Sequence, residues 1–194
     1  MRLSSLLPLI LLASCGDDGG SSGPADAVIA VDGAPDAASA GTCTGACRST
    51  NLTATFGTDT RKLDRAYYGI SRTTTGSTLH VEAYKGGGAG CPAMTSPTPD
   101  YTLILGKVPI TAATTSPGNL LDFKGDLLDG PLGAAATTVT LTAFAADVCP
   151  ACVGMPAPAD VDGFAAFDTS LTFAAGTITG HLFAAHCDSL DEAL

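Results

Sequence analysis

Between residues 42 and 194, apolar and polar positions alternate in short blocks. Leu79, Val81 and Ala83 interleave with His80, Glu82 and Tyr84, and Val139, Leu141 and Ala143 with Thr138, Thr140 and Thr142. A period of two puts neighbouring side chains on opposite faces, so each block predicts a strand with one buried face. Fainter alternation at Leu52/Ala54/Phe56, Ala66/Tyr68/Ile70 and Leu171/Phe173 predicts more strands, and residues 101 to 105 form a short continuous apolar run. Turn formers punctuate the blocks at Thr74-Thr75-Gly76-Ser77, at residues 85 to 90, at Ser116-Pro117-Gly118-Asn119 and at Asp129-Gly130-Pro131. No long stretch carries the three-four spacing of an amphipathic helix with a cap at both ends. The pattern predicts an all-β sandwich or barrel of about seven to nine short antiparallel strands.

The C-terminal part is the clearest local unit. Residues 169 to 173 and 177 to 183 flank Ala174-Ala175-Gly176, so they are expected to form a hairpin with Gly176 supplying a positive φ. The stretch 164 to 185 is nearly apolar enough to suggest a membrane span. Asp168, Gly176, Gly180 and His181 within it, together with the alternation, favour core strands. Asp188, Asp191 and Glu192 then read as a solvated acidic tail.

The N-terminus has a different character. Arg2 precedes an apolar run from Leu3 to Leu12, broken only by Ser4, Ser5 and Pro8 and followed by small residues. That is a secretory signal, and the run is about half the length a permanent span needs. Leu12-Ala13-Ser14-Cys15 resembles the lipobox of bacterial lipoproteins. The resemblance implies cleavage before Cys15, a thioether-linked diacylglycerol on that cysteine and further acylation of its amine, palmitate being one such chain. Two or more chains suffice for stable anchoring, because each buried methylene contributes about 0.8 kcal/mol. Residues 15 to 41 after the signal (1 to 14) hold no aromatic and no cationic residue, which predicts a disordered acidic tether spanning about 25 to 30 Å as a Gly-rich coil. This Ala/Asp-rich segment behind Cys-Gly-Asp-Asp resembles those of lipoproteins of the myxobacterial type. Gly16 stands where the enterobacterial sorting rule would have aspartate for inner-membrane retention, so the resemblance implies a cell-envelope protein with outer-membrane delivery favoured.

Composition narrows the partners. The formal charge of −10 becomes −11 once Arg2 leaves with the signal, and −6 for residues 42 to 194 without the tether acids. Such a surface repels phosphate backbones, and its eight cations cluster only at Arg61, Lys62 and Arg65, so nucleic acid is not an expected partner. The expected partners are the membrane, through the anchor, and an unidentified protein or glycan.

Besides Cys15, six cysteines remain: Cys43, Cys47, Cys91, Cys149, Cys152 and Cys187. An even number in an exported chain predicts three disulfides, with 15 possible connectivities. Cys149-Pro150-Ala151-Cys152 also matches the C-P-x-C form of a glutaredoxin site, but Gly154, Pro156 and Pro158 follow where that site needs a helix N-terminus. Zinc on four of the thiolates would require reduced cysteines and leave Cys91 and Cys187 over.

Candidate chemistry is otherwise sparse. His80, Glu82 and Tyr84 share one strand face, as a metal or acid/base set would, although a solvated strand face is the commoner reading. His181 and His186 are an odd number apart and need a bulge to share a ligand. Asp160-Val161-Asp162-Gly163 resembles the opening of a calcium loop but runs into Phe164-Ala165-Ala166-Phe167, which predicts a turn into a strand. The glycines of residues 86 to 90 lack the Lys-Ser/Thr of a phosphate loop. Tyr67, Tyr68, Tyr84 and Tyr101 supply aromatic surface, with Tyr84 a candidate sugar platform. No catalytic residue, metal or cofactor is expected. The reading is a lipid-anchored exported β domain with a non-enzymatic structural or binding role, with a carbohydrate-binding module as alternative and a thiol oxidoreductase using Cys149 and Cys152 as a second.

Overall fold

The computed structural model describes residues 41–110, 115–155, 159 and 161–192. The signal, Cys15 and the tether through residue 40 lie outside that range. Ten strands follow in order: β1 (Asn51–Phe56), β2 (Asp59–Leu63), β3 (Arg65–Thr73), β4 (Gly76–Gly86), β5 (Pro99–Pro109), β6 (Gly118–Asp122), β7 (Gly133–Ala135), β8 (Thr138–Asp147), β9 (Phe164–Thr172) and β10 (Gly176–His186). Among the described residues only two single-turn 3₁₀ segments are helical, and no helix is long and apolar enough to cross a membrane.

All ten strands belong to one hydrogen-bonded sheet, which divides at β10. One edge of β10 pairs with β9; the other pairs first with β1, through residues 176 to 181, and then in parallel with β3, through Ala185 and His186. Two antiparallel arms result, β8-β9-β10-β1-β2 and β3-β4-β5-β6-β7. At the far rim the chain steps between the arms: Ala136 N–H donates to the Gly118 carbonyl (2.8 Å), and the next residue, Thr137, to that of Thr172 (2.7 Å). The inner faces meet in one core, where Tyr68, Ile70 and Leu103 of one arm join Leu141, Phe167 and Leu182 of the other. Gly118 marks the contact, since a Cβ there would lie 2.8 Å from Leu171 and 3.0 Å from Val139. Each fully buried large apolar side chain contributes about 1.5–3 kcal/mol, so the fold rests on these facing rows.

The all-β, disulfide-stapled class expected from the sequence is what forms, with differences in detail. There are ten strands because β2, β6 and β7 carry no clean alternation; β2 is Asp-Thr-Arg-Lys-Leu, with one buried residue. Gly118 and Asn119, expected in a turn, open β6. Ala143, expected inward, is exposed with φ 51°, at a bulge that shifts the β8–β9 register between Thr142 and Ala145. The β9–β10 hairpin forms, but Gly176 is there for space: its Cβ would sit 2.3 Å from the Thr55 carbonyl oxygen. The acidic tail is not solvated throughout. Asp191 is buried, accepting from Ile70 N–H (2.7 Å) and Gly154 N–H (2.6 Å), and Glu192 N–H bonds the Ile70 carbonyl. Gly69 of β3 makes room for this segment, because a Cβ would lie 2.1 Å from Leu190 backbone.

The disulfides are Cys43–Cys47, Cys91–Cys187 and Cys149–Cys152, with Cα separations of 5.3, 5.5 and 5.4 Å. Two close local loops. The third joins residues 96 apart.

Candidate binding cleft

The outer face of β3–β6 is built by strand parity. On β4, Leu79, Val81 and Ala83 are fully buried, which turns His80, Glu82 and Tyr84 outward. Register places Tyr67 of β3 and Ile104 of β5 on either side of Glu82, and Arg65 and Thr102 on either side of Tyr84. Leu121 of β6 lies beyond Thr102. Two rows of side chains therefore cross four strands.

The loop from β4 to β5 stands over one end of these rows and makes a wall. Its first residues are glycines for a steric reason: Gly86 has φ 72°, and a Cβ would meet Asp100 at 2.9 Å. The Arg65 guanidinium donates to the Gly86 and Gly88 carbonyls from below. The Cys91–Cys187 bridge and a hydrogen bond from Ser189 Oγ to the Pro92 carbonyl pin the loop to the C-terminal segment. Phe123 stands just beyond the end of β6, 42% exposed, with its N–H bonded to the Asp100 carbonyl (3.0 Å). The buried Asp122 carboxylate holds the next turn, accepting from Gly125 (2.6 Å), Leu127 (2.8 Å) and Leu128 (2.9 Å) N–H groups. Burial pushes this carboxyl up, but the backbone donors outweigh that and hold it below the usual carboxylate range. Wall and floor enclose a cleft of about 400 Å³ lined by apolar and hydrogen-bonding groups together.

Among the described residues, Glu82 is the only carboxylate lining this cleft. Its Oε1 lies 2.8 Å from His80 Nε2, and its Oε2 accepts from the Tyr84 hydroxyl. Burial raises the Glu82 carboxyl, yet the bonds from His80 and Tyr84 prevail and leave it below the ordinary value. The same bond raises His80 above its ordinary range, and burial followed by the Glu82 bond raises the Tyr84 phenol. Both oxygens are thus engaged within the protein.

The structure joins His80, Glu82 and Tyr84 into one hydrogen-bonded chain on their shared strand face, which is largely buried and not the solvated face that was the commoner expectation. Tyr84 is not an exposed platform: it is 8% accessible and forms floor and wall. Tyr68 is in the core, and Tyr101 is buried with its hydroxyl on Asp126 and Arg61. His181 and His186 have separate partners: His181 bonds Asp168 (2.8 Å) and the Cys47 carbonyl (2.9 Å), His186 bonds Asp191 (3.1 Å). His186, Asp188 and Asp191 offer ligand atoms within 4.8 Å of one another, but both oxygens of Asp191 already accept backbone N–H groups, so the set acts as a latch on the C-terminal segment. Asp162 caps a turn into β9, with its N–H on Asp147 and its carboxylate on Arg48 (2.6 Å); Asp160 lies outside the described residues. Cys149 and Cys152 sit in a turn whose Pro150 and Ala151 carbonyls accept from Arg72, and no helix follows within residues 153–155 to stabilise a thiolate.

Arg65, Thr102 and Phe123 were not singled out by sequence, since only register brings them together. The sequence signals near the cleft were the shared face of His80, Glu82 and Tyr84, the tyrosine Tyr67 and the glycine run ending in Cys91. No protein-family model, no curated protein and no solved structure matches this chain.

Proposed function

We propose that this chain is an exported, lipid-anchored, non-enzymatic binding domain that takes its ligand in the cleft on β3–β6. The observation that carries the binding reading is the cleft itself: a glycine-rich wall fixed by a long-range disulfide over a face where apolar and polar groups converge. The anchor reading rests on Leu12-Ala13-Ser14-Cys15.

The position of the N-terminal segment fits such a role. Cys43 is buried against Phe164 and Ala166, and Gly41 lies against Ala145, so the chain reaches the domain across the outer face of the other arm. The first described residues therefore lie on the face that does not carry the cleft.

Mass spectrometry of the membrane-extracted protein tests the anchor: the expected N-terminus is a diacylated or triacylated Cys15, and Cys15→Ala should abolish labelling by radioactive palmitate. An intact N-terminus without acyl groups would overturn it. The cleft is tested by ligand screening of the full-length chain in detergent micelles. Binding unchanged by Tyr67→Ala and by Phe123→Ala would rule out this site.

A further inference from the structure

We infer that the cleft takes an uncharged oligosaccharide, its ring faces lying on Tyr67 at one end and Phe123 at the other. This rests on the binding reading of the cleft and names its ligand class.

The first support is charge. Arg65 and Glu82 are the charged side chains lining the cleft. Arg65 spends both terminal nitrogens on the Gly86 and Gly88 carbonyls, and Glu82 spends both oxygens on His80 and Tyr84. Each is held by partners within the protein, and their opposite charges leave the lining with no net charge to attract an ion. A charged ligand would lose water against a lining of no net charge, whereas a neutral polyol exchanges water for hydrogen bonds at little cost.

The second is shape. Tyr67 lies on β3 and Phe123 just beyond β6, three strand spacings or about 14 Å across the sheet and four residues or about 13 Å along it from Asn119, which aligns with Tyr67. The floor between them alternates Tyr84, Thr102, Ile104 and Leu121, so apolar patches and hydroxyl-sized polar positions recur along the length. Sugar rings present the same mixture, an apolar C–H face edged by hydroxyls. Phe123 is the most exposed aromatic of the described residues that the sheet carries, and Asp122 fixes the backbone beside it.

The full-length chain in micelles is titrated calorimetrically with short uncharged hexose oligomers of gluco, manno and galacto type. Oligouronates and a proline-rich peptide serve as probes of other classes. Saturable binding of at least one uncharged oligomer is expected, weakened roughly tenfold by Tyr67→Ala and by Phe123→Ala. Tyr67→Phe and Phe123→Tyr, which keep the rings, should bind within about twofold of the parent, and matched circular dichroism and melting curves confirm that all variants are folded. If an oligouronate or the peptide binds instead, with the same dependence on both rings, the saccharide inference falls and the cleft stands. If none of these probes binds, or binding ignores both rings, the saccharide inference falls and the cleft loses its support as well.

Discussion

The outer faces of the sheet's two arms are each crossed by a disulfide-bearing segment, with opposite results. On the β8–β10 face, residues 43 to 47 lie flat: Cys43 is buried against Phe164 and Ala166, and the Arg48 guanidinium sits over Phe183 at 5.2 Å and Phe164 at 5.9 Å. On the β3–β6 face, the glycine-rich loop stands at the rim and leaves a cleft. The difference lies in what each cross-link joins. Cys43–Cys47 closes a loop on itself and presents its own sulfur as an apolar plug, while Cys91–Cys187 ties a loop poor in apolar side chains to a distant segment. One face is sealed by packing, the other kept open by a strut.

The largest test of that contrast is to remove each bridge. Chain entropy predicts that Cys91→Ser/Cys187→Ser costs about 4–5 kcal/mol, since the closed loop is long, against about 2 kcal/mol for Cys43→Ser/Cys47→Ser. Urea unfolding of the two double variants checks this. Equal losses would show that the long bridge is not the strut described. Loss of ligand binding is expected only for the first variant, at denaturant concentrations where both remain folded.

Next in size is Asp122, which fixes the turn after β6 rather than the loop opposite. Asp122→Ala leaves three buried or half-buried N–H groups without their acceptor and should cost about 3 kcal/mol. The carboxyl is depressed in the folded state, so its contribution is present above the unfolded value of about 3.9 and is lost as pH falls from there through the folded value. The gap in stability between parent and Asp122→Ala should therefore be full at pH 7 and shrink in that acid range. A gap independent of pH would mean that an uncharged oxygen suffices.

The two faces were unequally legible in the sequence. Alternation at Leu79/Val81/Ala83 and Val139/Leu141 marked inward rows correctly, because burial on one face of a strand constrains every second residue. It was silent for β2, where Arg61 and Lys62 stand at an edge, and for β6 and β7, where glycine occupies positions that close packing keeps free of a side chain. Glycine has two physical uses, positive φ and close approach, and the residue alone does not say which: Gly86 combines the two, whereas Gly176 needs only space. The site was less visible than the fold. His80, Glu82 and Tyr84 could be grouped because they lie on one strand, whereas Arg65 joins them through the β3–β4 pairing, Thr102 through a β4–β5 pairing with a register shift between Leu79 and Val81, and Phe123 through the end of β6 beyond that.

The smallest effect expected is also the most local. His80 and Glu82 are mostly buried, with side chains 22% and 17% exposed, and pair on the cleft face. His80 is raised in the folded state, so its share of the stability is complete below the unfolded value of about 6.5 and disappears as pH rises through the folded value. Glu82 is lowered, so its share is complete above about 4.3 and disappears as pH falls through the folded value. The pair should therefore contribute most between about pH 5 and 6.5, by about 1 kcal/mol. Glu82→Gln keeps an oxygen for Tyr84 but removes the charge that holds the proton on His80. NMR titration of the His80 ring should then move down toward the ordinary imidazole value. An unmoved titration would mean that burial and neighbouring acids such as Glu192, rather than this bond, set the state of the cleft floor.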